Sequence, residues 1–421
     1  MGSRIIFHID VNSAYLSWSA LRRLQSGDTL DLRTVPSIIG GDQEKRHGIV
    51  LAKSIPAKKY GIQTAEPIVN ALRKCPTLLI ERPDHSYYEE CSHRLMELLR
   101  SICPEIEQLS IDECFMDFTP IQHLYSSPID AANEIKQRIY DSFGFTVNIG
   151  ISNCKVLAKM ASDFEKPDRV HTLFPEELSK KMWPLPVSSL YMCGHSSVQV
   201  LHNLGINTIG ELAATDSSIL SMHLKSHGLL LWQYANGIDD SPVISTPTAA
   251  KGIGNSTTLA EDITDVQLAY STLLSLAESV GSRLRKSGQN TSTLSVEIKY
   301  SDFQSVSRQT SLNTPTSTTQ IIYETSCKLF DELWNGSPIR LLGIRSAKLT
   351  SHDEPVQLSL FDQLAEPTAK GEPGKSHPST EKLKALDSTL DAIREKYGKD
   401  AIVRGSFLGR PTQVDSHKEK R

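Results

Sequence analysis

The sequence predicts a multidomain α+β protein, and three observations lead to that prediction. Its 421 residues exceed one ordinary hydrophobic core, and the usual domain size predicts about three domains. Residues 4–163 alternate in the order strand, helix, hairpin, helix, strand, helix, which is typical of helices packed on one face of a mostly antiparallel sheet. Residues 242–250 are rich in Pro, Ser and Thr, which indicates a linker before a second αβ region.

The composition is that of a soluble globular protein. Hydrophobic residues make up 39% and charged residues 22%, and no apolar run approaches the roughly 20 residues that a membrane span requires. The seven cysteines are scattered without Cys-x-x-Cys spacing, which argues against disulfides or a zinc site and predicts a reducing, cytoplasmic location. The net charge of −4 gives no support for nucleic-acid binding by itself, although a local basic face is compatible with it.

The chain begins with a predicted strand that ends at Asp10, followed by a helix over residues 13–24. The amides at the start of that helix would lie beside Asp10 and are placed to receive phosphate oxygens. A second interpretation stays open, because Asp before a helix is more commonly an N-cap. His8, on the same strand, is interpreted as structural.

Residues 25–80 are predicted to form a short mixed region. Lys53, Lys58 and Lys59 cluster there, either as an edge that faces phosphates or, more commonly, as a solvated lysine face. The predicted elements are small strands at 35–41 and 48–52 and a short helix at 56–60.

Two adjacent carboxylates, Asp112 and Glu113, lie in the motif Ser-Ile-Asp-Glu between two short apolar strands of residues 105–118. Charges in an apolar run are costly unless a cation neutralises them, and a metal ion is well suited to do so. A solvated turn is the commoner explanation for an isolated Asp-Glu pair.

The remainder of the first half is predicted to be helical apart from one strand. The segment 174–241 is separate and contains a Gly-rich turn between short helices, of the kind that exposes backbone amides to DNA phosphate. The preceding elements are helices at 86–101, 128–143 and 153–163 and a strand at 145–151.

The second αβ region covers residues 251–350, and a change in composition follows it. Residues 381–398 repeat apolar residues at three and four, which predicts a helix that docks on its own chain or, alternatively, on a partner. The elements predicted before it are helices at 266–286 and 318–334 and strands at 293–300, 305–311 and 339–349.

Taken together, these segments resemble the Y-family translesion DNA polymerases of the DinB/UmuC group. The matching pieces are residues 7–15, 52–62, 110–113, 148–159 with Lys166-Pro167, and 204–210. The resemblance implies a right-hand arrangement with a C-terminal little finger. Its parts are a palm (1–15 and 86–173), small fingers (16–85), a helical thumb (174–241), a linker (242–250), a little finger (251–350), a tail (351–380), a C-terminal helix (381–398) and a final tail (399–421).

The resemblance also implies an activity and a set of site residues. The activity is DNA-templated addition of deoxynucleotides to a primer 3′ end, with low-fidelity bypass of damaged template. By this resemblance, two Mg²⁺ ions are held by Asp10, Asp112 and Glu113 with the Val11 carbonyl, Lys58 and Lys166 contact the triphosphate, and Tyr15 is the steric gate against ribose.

Two departures from the family pattern are visible. DinB-type members generally carry Tyr and Arg where this chain has Ile55 and Lys58, so a bidentate guanidinium contact is lost and the pattern looks closer to the UmuC-like branch. In the thumb, Met192 replaces the first glycine of the usual Gly-x-Gly turn, while Gly194 remains.

Residues 357–361 are similar to the peptide with which bacterial polymerases bind their sliding clamp. Leu360 and Phe361 would fill an apolar pocket of the clamp, and Gln357 would hydrogen-bond at the rim of that pocket. Leu358 is the other leucine of the peptide. Two rival classes stay open: a clamp-tethered DNA-binding factor without catalysis, and a nucleotide cyclase, which leaves residues 174–361 unexplained.

Overall fold

The structure is a computed structural model that describes residues 4–41, 48–246, 249–351, 380–398 and 401–405. Contacts divide the described chain into two compact units, with the division inside the predicted linker. Each unit is therefore described by itself. Within the described residues, no helix is both long enough and apolar enough to cross a membrane.

The strands in chain order are β1 Ile6–Val11, β2 Ser37–Gly40, β3 Val50–Lys53, β4 Leu79–Glu81, β5 Ile106–Gln108, β6 Glu113–Asp117, β7 Val147–Ser152, β8 Val170–Thr172, β9 Gly254–Ile263, β10 Gln289–Tyr300, β11 Ser305–Thr316 and β12 Ile339–Ser351. The helices are α1 Ala14–Gln25, α2 Ile55–Lys59, α3 Ile68–Lys74, α4 His85–Ile102, α5 Pro128–Phe143, α6 Lys155–Ser162, α7 Leu178–Lys181, α8 His195–Asn203, α9 Ile209–Ala214, α10 Ser217–Leu224, α11 Ser226–Ala235, α12 Val266–Lys286, α13 Thr319–Leu333 and α14 Thr380–Tyr397. Short 3₁₀ turns lie at Thr119–Leu124, Pro175–Glu177 and Val187–Ser189.

A five-stranded sheet of order β5-β6-β1-β7-β8 occupies the predicted palm, and all its pairings are antiparallel except β7 with β8. The predicted hairpin is confirmed, because β5 and β6 pair directly and Asp112 lies in the connection. On one face, Phe7 and Ile9 of β1 are fully buried against Leu95 of α4 and Ile135 of α5. Alternation along β1 therefore sends His8 and Asp10 to the other face.

The expectation that the helices pack on one face of this sheet is wrong for α6. This helix lies on the face of Ile6, whose cluster includes Ala158. A Cβ atom at Gly150 of β7 would lie 1.9 Å from the carbonyl oxygen of Ala158, so only glycine permits so close an approach. The apolar face of α6 predicted that this helix packs against the sheet. It did not indicate on which face of the sheet the helix lies.

The predicted fingers contain a small three-stranded sheet of order β3-β2-β4, in which β2 pairs antiparallel with β3 and parallel with β4. Ile38, Val50 and Ile68 are completely buried in its core. Helix α2 begins at the Ser54 cap, whose hydroxyl accepts a hydrogen bond from the Ala57 amide. Strand β4 was not predicted from the sequence.

The helices α7 to α11 form the predicted thumb, and their core continues into α6. Leu157 and Met160 of α6 belong to the same buried cluster as Leu201 and Leu212. Helix α6 therefore contacts the sheet with one side and the thumb helices with another. Met192 adopts a left-handed backbone with φ of 67°, the conformation that glycine adopts freely.

The first residues of the predicted linker run along the palm. The amide of Ile244 donates to Glu107 Oε2 at 2.8 Å, and the hydroxyl of Ser245 donates to Glu105 Oε2 at 2.9 Å. Val243 packs beside the cluster of Ile6. This part of the segment is held by specific contacts and is not a free spacer.

The second unit is a four-stranded antiparallel sheet of order β11-β10-β12-β9, with α12 and α13 packed on it. Its core joins both layers, with Leu273 and Phe330 of the helices and Val296 and Leu342 of the strands fully buried. Strand β9 was missed from the sequence because its alternation is interrupted by polar residues.

Helix α14 docks on its own chain, as one interpretation of the sequence held: part of the predicted apolar stripe is partly buried, and a charged contact adds to it. Asp387 is only 3% exposed and accepts hydrogen bonds from the Thr319 amide at 2.8 Å and from Arg285 Nη1 at 3.3 Å. Leu386 and Tyr397 of the predicted apolar stripe are 47% and 66% exposed. The apolar periodicity of residues 381–398 did not reveal the charged contact, because the cation that meets Asp387 is Arg285 of α12, in another part of the chain.

Replacing Asp387 by alanine is expected to loosen the start of α13 and destabilise the second unit by about 2 kcal/mol, because Arg285 and the Thr319 amide lose a buried acceptor. Hydrogen exchange over residues 319–323 and urea unfolding measure the effect. Ser388→Ala, at an exposed position of the same helix, is the control. Equal behaviour of the two variants would contradict the docking role.

Candidate active site

Two of the candidate carboxylates face each other on neighbouring strands. In the antiparallel pairing of β1 with β6, Asp10 lies directly opposite Glu113, so their side chains share one face of the sheet. The Val11 amide donates to the carbonyl oxygen of Asp112 at 3.0 Å and brings the third carboxylate to the same end. The structure therefore brings Asp10 close to Asp112 and Glu113, which follow it by more than 100 residues in the sequence.

The orientation of Asp112 is set by its own turn. The hydroxyl of Ser110 donates to Asp112 Oδ1 at 2.6 Å, and the Asp112 amide lies 3.3 Å from the same hydroxyl oxygen. A Ser two residues before an Asp commonly closes such a local turn. The first residue of the Ser-Ile-Asp-Glu motif thus has a positioning role that the sequence analysis did not assign.

Glu113 is held by a lysine and a histidine that the sequence analysis did not select. Lys159 Nζ of α6 lies 2.5 Å from Glu113 Oε2, and His8 Nε2 lies 3.2 Å from the same oxygen. Burial tends to raise the pKa of Glu113, but the hydrogen bonds with His8 and Lys159 outweigh it and lower the pKa to about 2. The carboxylate is therefore ionised at neutral pH.

His8 is almost completely buried, and its Nδ1 lies 2.8 Å from the hydroxyl of Ser162 on α6. Burial lowers the pKa of His8 because a charged imidazole is poorly solvated there. The interpretation of His8 as a purely structural residue is thus incomplete, since its ring also contacts the candidate catalytic carboxylate of Glu113. The sequence did contain a signal for this contact, because the alternation of side chains along the strand places His8 on the same face as Asp10.

Asp10 contacts the second candidate lysine. Lys166 Nζ lies 2.6 Å from Asp10 Oδ2 and 2.8 Å from Asp163 Oδ1. Burial raises the pKa of Asp10, and the charge of Lys166 opposes this rise. Burial tends to lower the pKa of Lys166, but its two acidic neighbours outweigh burial, and its pKa is raised.

The loop that carries Lys166 is fixed by a buried asparagine. Asn148 Nδ2 donates to the carbonyl oxygens of Ser162 and Glu165 at 3.0 and 2.7 Å. Its Oδ1 accepts from Asn12 Nδ2 at 3.0 Å, next to β1. A fully bonded buried amide of this kind holds a loop in one conformation. Neither asparagine was assigned a role from the sequence.

Tyr15 lies in the first turn of α1, and its ring is stacked on Tyr88 with centroids 4.5 Å apart. His85 meets the same ring edge-on at 5.8 Å. Partial burial raises the pKa of Tyr15, and the charge of Asp112 adds to the rise. The ring is thus held by two aromatic neighbours, near enough to Asp112 for its charge to act on the Tyr15 hydroxyl.

Lys58 is exposed on α2, and its charge contributes, after burial, to lowering the pKa of Lys53. Among the described residues, no ion pair or hydrogen bond joins Lys58 to the three carboxylates. The structure therefore does not bring Lys58 into the cluster of Asp10 and Glu113. The candidate clamp residues Gln357, Leu358, Leu360 and Phe361 lie outside the described residues.

The donor set has the chemistry that a hard divalent cation requires. Three carboxylates and the nearby backbone of Val11 supply oxygen ligands. In the part of the chain that the structure describes, no three His, Cys, Asp or Glu side chains already converge as a metal centre. At the same place, Lys166 forms an ion pair with Asp10 and Lys159 forms one with Glu113.

Comparisons with known proteins agree with this fold. Residues 9–163 match the model of the impB/mucB/samB family, and residues 250–360 match that of its C-terminal domain. A DNA polymerase IV of Clostridium acetobutylicum is 45% identical over 96% of this chain and 98% of its own length. DNA polymerase IV 2 of Bacillus subtilis is 35% identical over 97% of this chain and 95% of its own.

Among solved structures, a Y-family DNA polymerase chimera has a TM-score of 0.72 with this chain, covering 82% of this chain and 99% of that chain at 20% identity, which shows a shared fold. The family models and the relatives show a DNA-directed DNA polymerase. The chain belongs to the impB/mucB/samB family of Y-family translesion polymerases.

Family membership implies a divalent metal, DNA and deoxynucleoside triphosphates. The two relatives named above are both called DNA polymerase IV, and they lend no support to a closer affinity with the UmuC-like branch.

Proposed function

We propose that this polymerase uses two Mg²⁺ ions held by Asp10, Asp112 and Glu113, with the Val11 carbonyl as a further ligand. The observation that carries the proposal is the direct pairing of Asp10 with Glu113 across β1 and β6. The bound ions would supply Lewis-acid stabilisation of the attacking 3′ oxygen and of the departing pyrophosphate. The chain supplies rigid carboxylates at the end of a packed sheet.

The lysines give the site its positive charge toward the nucleotide. Lys166 is 37% exposed and lies on a loop fixed by Asn148, so its ammonium is placed to meet the triphosphate of an incoming deoxynucleotide. Lys58 is proposed as a weaker second contact, acting as a point charge from α2. Primer–template DNA and deoxynucleotides are the substrates.

Bypass of damaged template is supported by the small size of the fingers. Their sheet has three short strands, and α2 and α3 have five and seven residues. Few side chains are available there to test the shape of a nascent base pair, so a distorted template base is accepted. A cytoplasmic location is supported by the seven cysteines, which are all free thiols.

The enzyme proposal is tested by primer extension with Mg²⁺ on an undamaged and an abasic template. Asp112→Asn and Glu113→Gln are expected to lower extension on both templates by at least roughly 100-fold, because a metal-holding carboxylate is lost. Asp141→Asn, at an exposed position of α5, is the matched control. Full activity of Asp112→Asn would favour the rival interpretation of a DNA-binding factor without catalysis.

Tyr15 is proposed as the steric gate, and the stacked ring of Tyr88 holds it in place. Tyr15→Ala is expected to improve ribonucleotide use relative to deoxynucleotide use by roughly 10- to 200-fold, because the ring that meets the 2′-hydroxyl is removed. The measurement is kcat/KM for the two nucleotide types. Tyr15→Phe keeps the ring and should keep the discrimination; unchanged discrimination in Tyr15→Ala would remove the assignment.

Residues 357–361 are proposed to bind the sliding clamp, on the strength of their sequence. Deleting them is expected to abolish clamp-stimulated processivity while distributive synthesis is retained, because only the apolar anchors are lost. Product lengths with and without clamp measure the effect. Deletion of residues 369–373, five residues of the following spacer, is the control. An equal loss of both activities would mean that the peptide serves the enzyme's own structure.

A protein partner at residues 381–397 is a further proposal. It is supported by the exposure of Leu386 and Tyr397, which remain available after α14 has docked through Asp387.

A further inference from the structure

The ammonium of Lys159 lies where three parts of the first unit meet. It is 2.5 Å from Glu113 Oε2 on β6 and 3.4 Å from His8 Nε2 on β1. It also lies 5.3 Å from the ring centroid of Tyr191, which belongs to the turn before α8. The Lys159 side chain is only 12% exposed. A cation so enclosed is bound to its neighbours and has little freedom to reach another partner.

We infer that Lys159 is a positioning residue for DNA synthesis, which holds the Glu113 carboxylate and couples it, through Tyr191, to the thumb. The inference rests on the proposed role of Glu113. It differs from the role of Lys166, whose side chain is three times as exposed and lies on a loop. Lys159 acts through Glu113 and does not contact the nucleotide.

The helix that carries Lys159 is a rigid support. A Cβ atom at Gly150 would lie 1.9 Å from the Ala158 carbonyl oxygen, so α6 lies directly on the sheet backbone. Ser162, near the end of the same helix, is bonded to the His8 ring at 2.8 Å. Because both ends of this contact are fixed, the ammonium is delivered to Glu113 by packed secondary structure.

The connection to the thumb is made by the Tyr191 turn. The Tyr191 amide donates to Met160 Sδ of α6 at 3.3 Å, and its ring stacks with Tyr234 of α11 at 6.2 Å. The face of an aromatic ring attracts an ammonium ion when solvent is excluded. A displacement of this turn would take the ring away from Lys159 and leave the ammonium held by Glu113 and His8 alone.

The same helix offers a matched control at Lys155, one turn earlier. Lys155 Nζ lies 2.7 Å from Glu107 Oε2 and 5.1 Å from the Phe115 ring, and its side chain is 13% exposed. The two lysines thus share their helix, their burial, a carboxylate partner and an aromatic ring. Lys155 also donates to the Pro242 carbonyl oxygen at 3.2 Å, and only the partner of Lys159 is a candidate catalytic residue.

Lys159→Met is expected to lower kcat for primer extension by roughly 10- to 100-fold, with KM for the deoxynucleotide nearly unchanged, because a misplaced carboxylate slows chemistry. Lys155→Met should keep the wild-type kcat, and Lys159→Arg should recover part of the loss. A rise in KM with kcat preserved would show a triphosphate contact instead. An equal loss of kcat in Lys155→Met would show that only packing of α6 matters. Either result overturns the inference.

The thumb connection is tested by hydrogen exchange over residues 188–194 of the protein without DNA. Exchange is expected to be faster in Lys159→Met and unchanged in Lys155→Met. Tyr191→Leu should lower kcat, with Tyr191→Phe retaining most of it, and should add little further loss to Lys159→Met. Additive losses or unaltered exchange would refute the coupling. A wild-type protein that extends no primer would instead refute the proposed function.

Discussion

The close contact between α6 and the central strands is the constraint on which the catalytic end of this molecule depends. At Gly150 there is no room for a side chain beneath the Ala158 carbonyl, so α6 lies directly against the backbone of β7. From that position α6 contributes Leu157 and Met160 to the thumb core. It also carries Lys155 and Lys159 to two different carboxylates of the palm.

Charge balance is the second requirement, because three carboxylates lie close together in a partly buried place. Lys159 and Lys166 offset this negative charge, but they differ in their exposure and in the element that carries them. Lys159 projects from a packed helix and is nearly buried, whereas Lys166 lies on a loop and is more exposed. An enclosed ammonium such as that of Lys159 is suited to hold a carboxylate in place. A more accessible ammonium such as that of Lys166 is suited to contact a substrate phosphate.

Much of the fold followed from periodicity and local signals. Helix α5 was predicted at its observed bounds, because Ser127 caps it and Gly144 ends it with a positive φ. The hairpin around Asp112 was predicted from its apolar strands, and family resemblance selected Asp10 as its companion. The face of the sheet on which α6 packs was predicted wrongly, and the charged contact of α14 and strand β9 were missed.

The sequence by itself determined most of the local elements and the presence of the Ser-Ile-Asp-Glu turn, because hydrogen bonds such as that of Ser110 to Asp112 span two residues. Only the tertiary structure decided which cationic side chains contact the acidic side chains. His8 and Lys159 are 151 residues apart in the chain, and Arg285 and Asp387 are 102 apart. Such contacts depend on how whole layers pack, and that packing leaves no periodic signal in any single segment.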